Sequence, residues 1–171
     1  MANNSKPIKS YITAVLSCVI LIAFDQFTKS LASAHLKDQP PFIIIKHVFQ
    51  LQYLENRGAA FGILQNQKVF FIFSGLLILA IMGYGFVKIP KSRHYAGMRF
   101  CIILIVSGAV GNMIDRISQN YVVDFFYFEL IDFPIFNMAD IYVVVASISL
   151  VLLILLFYKD EDFSFLSLHK K

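Results

Sequence analysis

Four stretches of the chain carry no charge: Ser10 to Phe24, Val69 to Val87, Phe100 to Ile114 and Ile141 to Tyr158. A helix needs about 20 mostly apolar residues to cross a hydrocarbon core roughly 30 Å thick. The second and fourth runs reach that length unaided, and the other two reach it by taking in the polar residues at their ends, Asp25 to Lys29 and Asp115. The pattern predicts four membrane-spanning helices over 10–30, 69–87, 99–116 and 140–158, outer loops over 31–68 and 117–139, and a flexible cytoplasmic tail over 159–171. The whole chain, 1–171, reads as a single integral membrane domain. Within the first long loop, Phe42 to Leu54 is rich in β-branched and aromatic residues and predicts one or two short strands, with turn chemistry following at Asn56-Arg57-Gly58. The second loop has seven aromatic residues between Tyr121 and Phe136. A water-exposed loop would not carry them, whereas the headgroup layer of the outer leaflet suits them.

Composition narrows the class. Of 171 residues, 58% are hydrophobic and 15% charged, with a mean hydropathy of +0.69. Soluble domains carry roughly a quarter charged residues. A soluble enzyme, a secreted disulfide scaffold and a disordered chain are excluded. The net charge of +4 is no nucleic-acid footprint, because the cations stand at the ends of apolar runs rather than in a stripe. Lys88, Lys91, Arg93 and Arg99 crowd the short middle loop, Lys6 and Lys9 precede the first span, and Lys159, Lys170 and Lys171 follow the last. Short loops rich in Lys and Arg stay inside, so both termini are expected in the cytoplasm and both long loops outside. Cys18 and Cys101 lie in apolar runs without metal spacing and read as small buried hydrophobes. The first run followed by Ala32-Ser33-Ala34 also resembles a cleavable signal peptide, but the run is long for one and ten residues separate its end from Ala34.

The polar residues inside or beside the spans carry the chemistry. An acidic group at the membrane edge costs free energy unless it faces protein or water. Asp25 and Asp115 end the first and third spans, Asp140 opens the fourth, and Asp124 sits in the aromatic loop, so four carboxylates fall near one level. Asn112-Met113-Ile114-Asp115 and Asn137-Met138-Ala139-Asp140 each place an Asn one helical turn before an Asp. Small residues before the first of these (Ser107, Gly108, Ala109, Gly111) allow close helix packing. The plainer reading is that the amides join helices and the carboxylates pair with Lys29, Arg57 or Arg116. The other is a carboxylate pair sharing one proton. Its ionised member would take a proton from water and its protonated member would donate to the carbonyl under attack, hydrolysing a peptide without a covalent intermediate. His35, His47, His94 and His169 are dispersed, so neither a metal site nor a cofactor is indicated. The repeated spacing points to Asp115 with Asp140. The apolar neighbours of Asp124, which favour a retained proton, point to Asp124 with Asp140. Arg116 beside Asp115 suggests a structural ion pair there.

Five stretches, in order, resemble the bacterial lipoprotein signal peptidases (signal peptidase II). They are Asp25-Gln26-Phe27-Thr28-Lys29, Asn56-Arg57-Gly58-Ala59-Ala60-Phe61-Gly62, Gly108 to Arg116 (GAVGNMIDR), Val122-Val123-Asp124-Phe125 and Phe136-Asn137-Met138-Ala139-Asp140. The resemblance implies a mainly α membrane fold, a four-helix bundle with a small extracytoplasmic β-cradle, in the bacterial cytoplasmic (inner) membrane. It implies an aspartyl endopeptidase that removes the signal peptide from diacylglyceryl-modified prolipoproteins, cutting just before the lipidated Cys, and that is inhibited by globomycin. By motif, Asp124 and Asp140 are the catalytic pair. Asn56, Asn112, Arg116 and Asn137 hold substrate or brace the pair, Asp25, Lys29 and Asp115 support the site, and Gly58 allows close backbone approach. No cofactor, metal or nucleic acid is implied, and a monomer in membrane lipid is the default. The rival readings are a small ion-coupled transport subunit and a structural membrane subunit. The carboxylates all lie at one boundary with none at mid-membrane, which disfavours an ion relay.

Overall fold

The computed structural model describes residues 5–59 and 63–166. Ala60 to Gly62 of the second motif, and Lys170 and Lys171, lie outside the described residues. Four helices form the body: α1 (Ser5–His35), α2 (Lys68–Lys88), α3 (Ala96–Gln119) and α4 (Met138–Leu156). All four are long and apolar enough to cross a membrane. Successive helices run in opposite directions, and α3 is central, with α1, α2 and α4 packed against it. No residue of α2 is buried, so this helix presents its apolar side chains outward. That is the expected arrangement where the solvent is lipid, because burying an apolar side chain against another helix gains little over burying it in acyl chains.

Close approach holds the bundle together. The α3–α4 seam packs Leu104 and Ile105 against Tyr142 and Ala146, with Cys101 among them. At Gly108 an added Cβ would overlap the carbonyl oxygen of Ala139 and stand 2.7 Å from Val143 Cγ2. The small-residue run thus sets the helices at backbone contact. Gly108→Ala is expected to force α4 away and to lower stability by about 1–3 kcal/mol. Thermal unfolding in detergent would read this as a fall of several degrees, roughly 2–4 °C per kcal/mol at this chain length.

A three-stranded antiparallel sheet caps one end of the bundle, in the order β1 (Phe42–Ile45), β2 (Phe49–Asn56), β3 (Val122–Tyr127). Leu54 pairs with Asp124, and Asn56 with Val122. β1 and β2 fall where the β-branched run predicts strands. β3 falls in the aromatic stretch expected to be a loop. Val122 to Phe125 are buried on both faces, so no apolar–polar alternation marks the strand. The sheet rests on the end of α1: Ala32 and Leu36 pack with Val123 and Phe125. Helix α1 therefore continues ten residues past Asp25.

The tail expected to be flexible is ordered over 160–165. Asp160–Leu166 forms a 3-10 helix, with Phe163 and Phe165 packed beside Ile89, Met98, Ile102 and Tyr158. Asp162 accepts from His94 Nε2 at 3.0 Å, and the Tyr95 hydroxyl donates to the Asp162 carbonyl oxygen at 2.8 Å. Two aromatics and a carboxylate at helical spacing are enough to anchor a short segment on the bundle end.

Candidate active site

The antiparallel course of the helices and the sheet above them bring one end of α1, the last turns of α3, the first turn of α4, β2 and β3 together. Asp124 stands in β3 and is 1% exposed. After β3 the chain folds back, so that Phe125 and Phe126 both donate their backbone N–H to the carbonyl oxygen of Phe136. This return sets Asn137 beside Asp124.

Asn137 is the N-cap of α4. Its side-chain oxygen accepts from the Asp140 N–H at 3.1 Å, while the Asp140 carboxylate accepts from the Asn137 N–H at 3.1 Å. This reciprocal capping satisfies two of the N–H groups that a helix start leaves unpaired. The Asn137 amide is then free to point outward. It donates to Asp124 Oδ1 at 2.6 Å and to Asn112 Oδ1 at 3.1 Å. The Asn112 amide in turn donates to Asp140 Oδ1 at 2.8 Å. Two asparagines therefore tie the two carboxylates into one chain of hydrogen bonds. On its other side Asp124 Oδ2 accepts from Asn56 Nδ2 at 2.8 Å, and Asn56 Oδ1 accepts the Gly58 N–H at 2.9 Å. The turn expected at 56–58 thus orients an amide towards the carboxylate.

Burial, with the negative charge of Asp140 added, raises the Asp124 carboxyl pKa to about 7. The amides of Asn56 and Asn137 and the charge of Lys29 oppose that rise without cancelling it. Such a group gives up its proton near neutral pH, which suits acid–base work.

Behind this pair lies a buried ionic cluster. Lys29 Nζ is 2.9 Å from both Asp25 Oδ2 and Asp115 Oδ2, and it donates to Asn112 Oδ1 at 2.9 Å. Asp25 Oδ1 also accepts the Ala139 N–H at 2.9 Å, adding a carboxylate to the positive end of α4. Gln26 bonds Asp115 Oδ1 at 3.0 Å, and Asp115 Oδ2 accepts the Val123 N–H, next to Asp124. Gly111 admits the Asp25 carboxylate, since a Cβ there would stand 2.5 Å from Oδ2. The segment that cleavage after Ala34 would remove thus carries part of this cluster.

Two expectations fail here. Asp115 does not face Asp140: it turns to α1. Nor does Asp115 pair with Arg116, because consecutive helical residues point about a quarter-turn or more apart. Arg116 instead donates to the Gly58 carbonyl oxygen at 3.1 Å and lies 4.4 Å over the Phe71 ring. Arg57, another candidate partner, pairs with Glu55. Gln26 and Phe136 stand in the quoted motifs without a role of their own, and Phe71 stands in none of them. Gln26 could have been found, since it adjoins Asp25, whereas nothing in the sequence marks Phe71.

A cleft of about 520 Å³ opens onto Asp124, Asp140, Asn56 and Arg116, with mostly apolar walls that include Phe71 and Val144. Among the described residues no group of three or more His, Cys, Asp or Glu is placed to hold a metal ion. The chemistry available is that of two carboxylates, one guanidinium and aligned amides at the mouth of an apolar cleft.

Comparisons with known proteins bear on the family and the fold. A family model described as signal peptidase (SPase) II matches residues 17–157. The chain is 41% identical over 138 residues to the lipoprotein signal peptidase of Caldanaerobacter subterraneus subsp. tengcongensis, covering 80% of this chain and 92% of the relative. It is 43% identical over 143 residues to that of Clostridioides difficile, covering 84% and 95%. Two solved bacterial membrane enzyme structures superpose on the fold. One has a TM-score of 0.76 at 33% identity and covers 93% of this chain and 94% of that one. The other has a TM-score of 0.72 at 32% identity, covering 85% and 94%.

Proposed function

The chain belongs to the signal peptidase II family, and we propose that it is an aspartyl endopeptidase of diacylglyceryl-modified prolipoproteins, with Asp124 and Asp140 as its catalytic pair. It is a multi-pass membrane protease, and signal peptide cleavage from prolipoproteins follows from its family. The observation that carries the finer reading is the coupled pair itself: two carboxylates bridged through Asn137 and Asn112 at one cleft.

In this reading the pair holds one proton. Asp140, ionised, takes a proton from a water molecule lodged between the carboxylates, and that water attacks the scissile carbonyl carbon. Asp124, protonated, donates to the carbonyl oxygen as it gains negative charge. Collapse of the tetrahedral intermediate breaks the C–N bond, returns the proton to Asp124 and passes the other to the departing amine. The bond cut is the one before the lipidated Cys. Arg116 and the Asn56 amide border the cleft where a peptide backbone would lie. Asn112 and Asn137 brace the pair, while Asp25, Lys29 and Asp115 hold the helices that carry it.

The Lys and Arg distribution supports cytoplasmic termini and an extracytoplasmic site in the bacterial inner membrane. A lipid-anchored Cys would then present its scissile bond at the level of Asp124 and Asp140. We read the chain as a single domain working as a monomer in membrane lipid, inhibited by globomycin.

The test is incubation of the purified protein with a diacylglyceryl-modified prolipoprotein, followed by mass spectrometry of the product. A mature chain starting at the lipidated Cys, formed only without globomycin, is the expected result. No cleavage of a substrate that a known signal peptidase II cuts would refute the reading.

A pH dependence follows. Asp124 has a pKa raised to about 7 and must be protonated to donate. On the alkaline side, activity is therefore lost as pH rises through that value. The expected profile of kcat/KM falls about tenfold per pH unit above about 7. A flat profile from pH 7 to 9 would remove Asp124 from the donor role.

A further inference from the structure

Away from the carboxylates, α1 and α2 flank α3 on one face and leave a groove between them. Its volume is about 450 Å³ and its walls are apolar, including Val15, Val19, Val87 and Val106. On α1 it runs from Tyr11 to Ile22, about 16 Å at 1.5 Å per residue. That is close to half a hydrocarbon core of roughly 30 Å. The groove is therefore one leaflet long, on the side of the termini.

Two features give it an occupant. At Gly83, on α2, an added Cβ would meet nothing within 4 Å, so this position faces open space in the groove. At the polar end, Tyr11 and Phe86 approach at 6.1 Å between ring centroids, and the Lys91 ammonium sits 3.9 Å over the Tyr11 ring and donates to its hydroxyl. Lys88 follows the groove residue Val87 on α2. A contiguous recess shares Ala14, Phe86 and Ile103 with the groove and adds Ser10, Thr13 and Arg99. Arg99 is engaged with the carbonyl oxygens of Pro90 and Ser92 and the Lys88 ammonium lies 5.5 Å over the Tyr84 ring, outside the groove, so Lys91 on Tyr11 is the cation at the groove end. An apolar slot one leaflet deep, ending in a lysine and hydroxyls, matches one acyl chain beneath an anionic headgroup.

We propose that this groove is a binding site for an anionic phospholipid of the leaflet nearest the termini, with one acyl chain between α1 and α2 and its phosphate on Lys91. The bound lipid fills the seam that these two helices leave open. This is independent of the cleavage reaction and of the proposed catalytic pair.

Native mass spectrometry of the detergent-purified protein, given equal amounts of phosphatidylglycerol and phosphatidylcholine, tests it. One phosphatidylglycerol should be retained in preference, by about fivefold. Lys91→Gln should lose about fivefold of that preference. Gly83→Leu should fill the slot, fold normally and abolish retention of the single lipid. Equal retention of both lipids would overturn the proposal. So would an undiminished preference in Gly83→Leu, which would mean that headgroups gather on surface lysines without a chain in the groove.

Discussion

Asp124→Asn is expected to reduce prolipoprotein cleavage by on the order of 10³–10⁴-fold while leaving the protein inserted. The substitution keeps the side chain's size but removes the proton that Asp124 would give to the carbonyl oxygen. It also sets an amide against two amides that now donate to the carboxylate, those of Asn56 and Asn137. One of the three must then turn away, so the new side chain cannot reproduce the orientation of the old. A loss of this size in single-turnover cleavage, with circular dichroism and detergent elution unchanged, would locate the defect in the chemistry. Turnover within tenfold of wild type would exclude Asp124 from catalysis.

Lys29→Met should have the largest effect on folding. Lys29 is 3% exposed and is the ammonium shared by Asp25 and Asp115, themselves 0% and 3% exposed. Methionine keeps most of the volume and leaves two carboxylates buried without their cation. Breaking a buried pair in this way costs about 3–5 kcal/mol. The cluster joins α1 to α3, to the start of α4 through Ala139 and to β3 through Val123. Its loss should therefore loosen the frame around Asp124 and Asp140 as well as lower stability. A triple replacement, Lys29→Met with Asp25→Asn and Asp115→Asn, should recover part of the stability, since no buried charge is then left unpaired. Thermal unfolding of the two variants side by side checks both statements. Equal midpoints for Lys29→Met and wild type would show that the cluster contributes nothing to the fold.

The spans were legible because charge-free runs of membrane length have few alternative uses. The candidate site was legible in its members but not in its pairings. Asn112 to Asp115 and Asn137 to Asp140 have the same spacing, yet Asn112 lies inside α3 and Asn137 stands outside α4 as its cap. Within a helix the two side chains diverge to different neighbours, and Asp115 leaves for Lys29. At a helix start the Asn reaches back over the first turn and holds Asp140 near Asp124. The spacing alone does not distinguish these cases, although an Asn three residues before an Asp at the head of an apolar run is a capping signal. The apolar neighbours of Asp124 in the sequence do foreshadow its burial, which is what raises its pKa. Strand β3 carries no local signal because it is buried. A strand covered on both faces shows no alternation, and its aromatic residues read as a headgroup segment. The docked tail depends on contacts with His94 and Tyr95, far away in sequence, which no local pattern contains.

In the proposed mechanism Asp124 and Asp140 act as one unit. The direct test is single-turnover cleavage of one diacylglyceryl-modified prolipoprotein by Asp124→Asn, Asp140→Asn and the double variant. Groups that share one proton and one water fail together, so the double variant should be no slower than either single one. Losses that multiply in the double variant, or cleavage near the wild-type rate in either single one, would contradict the pair.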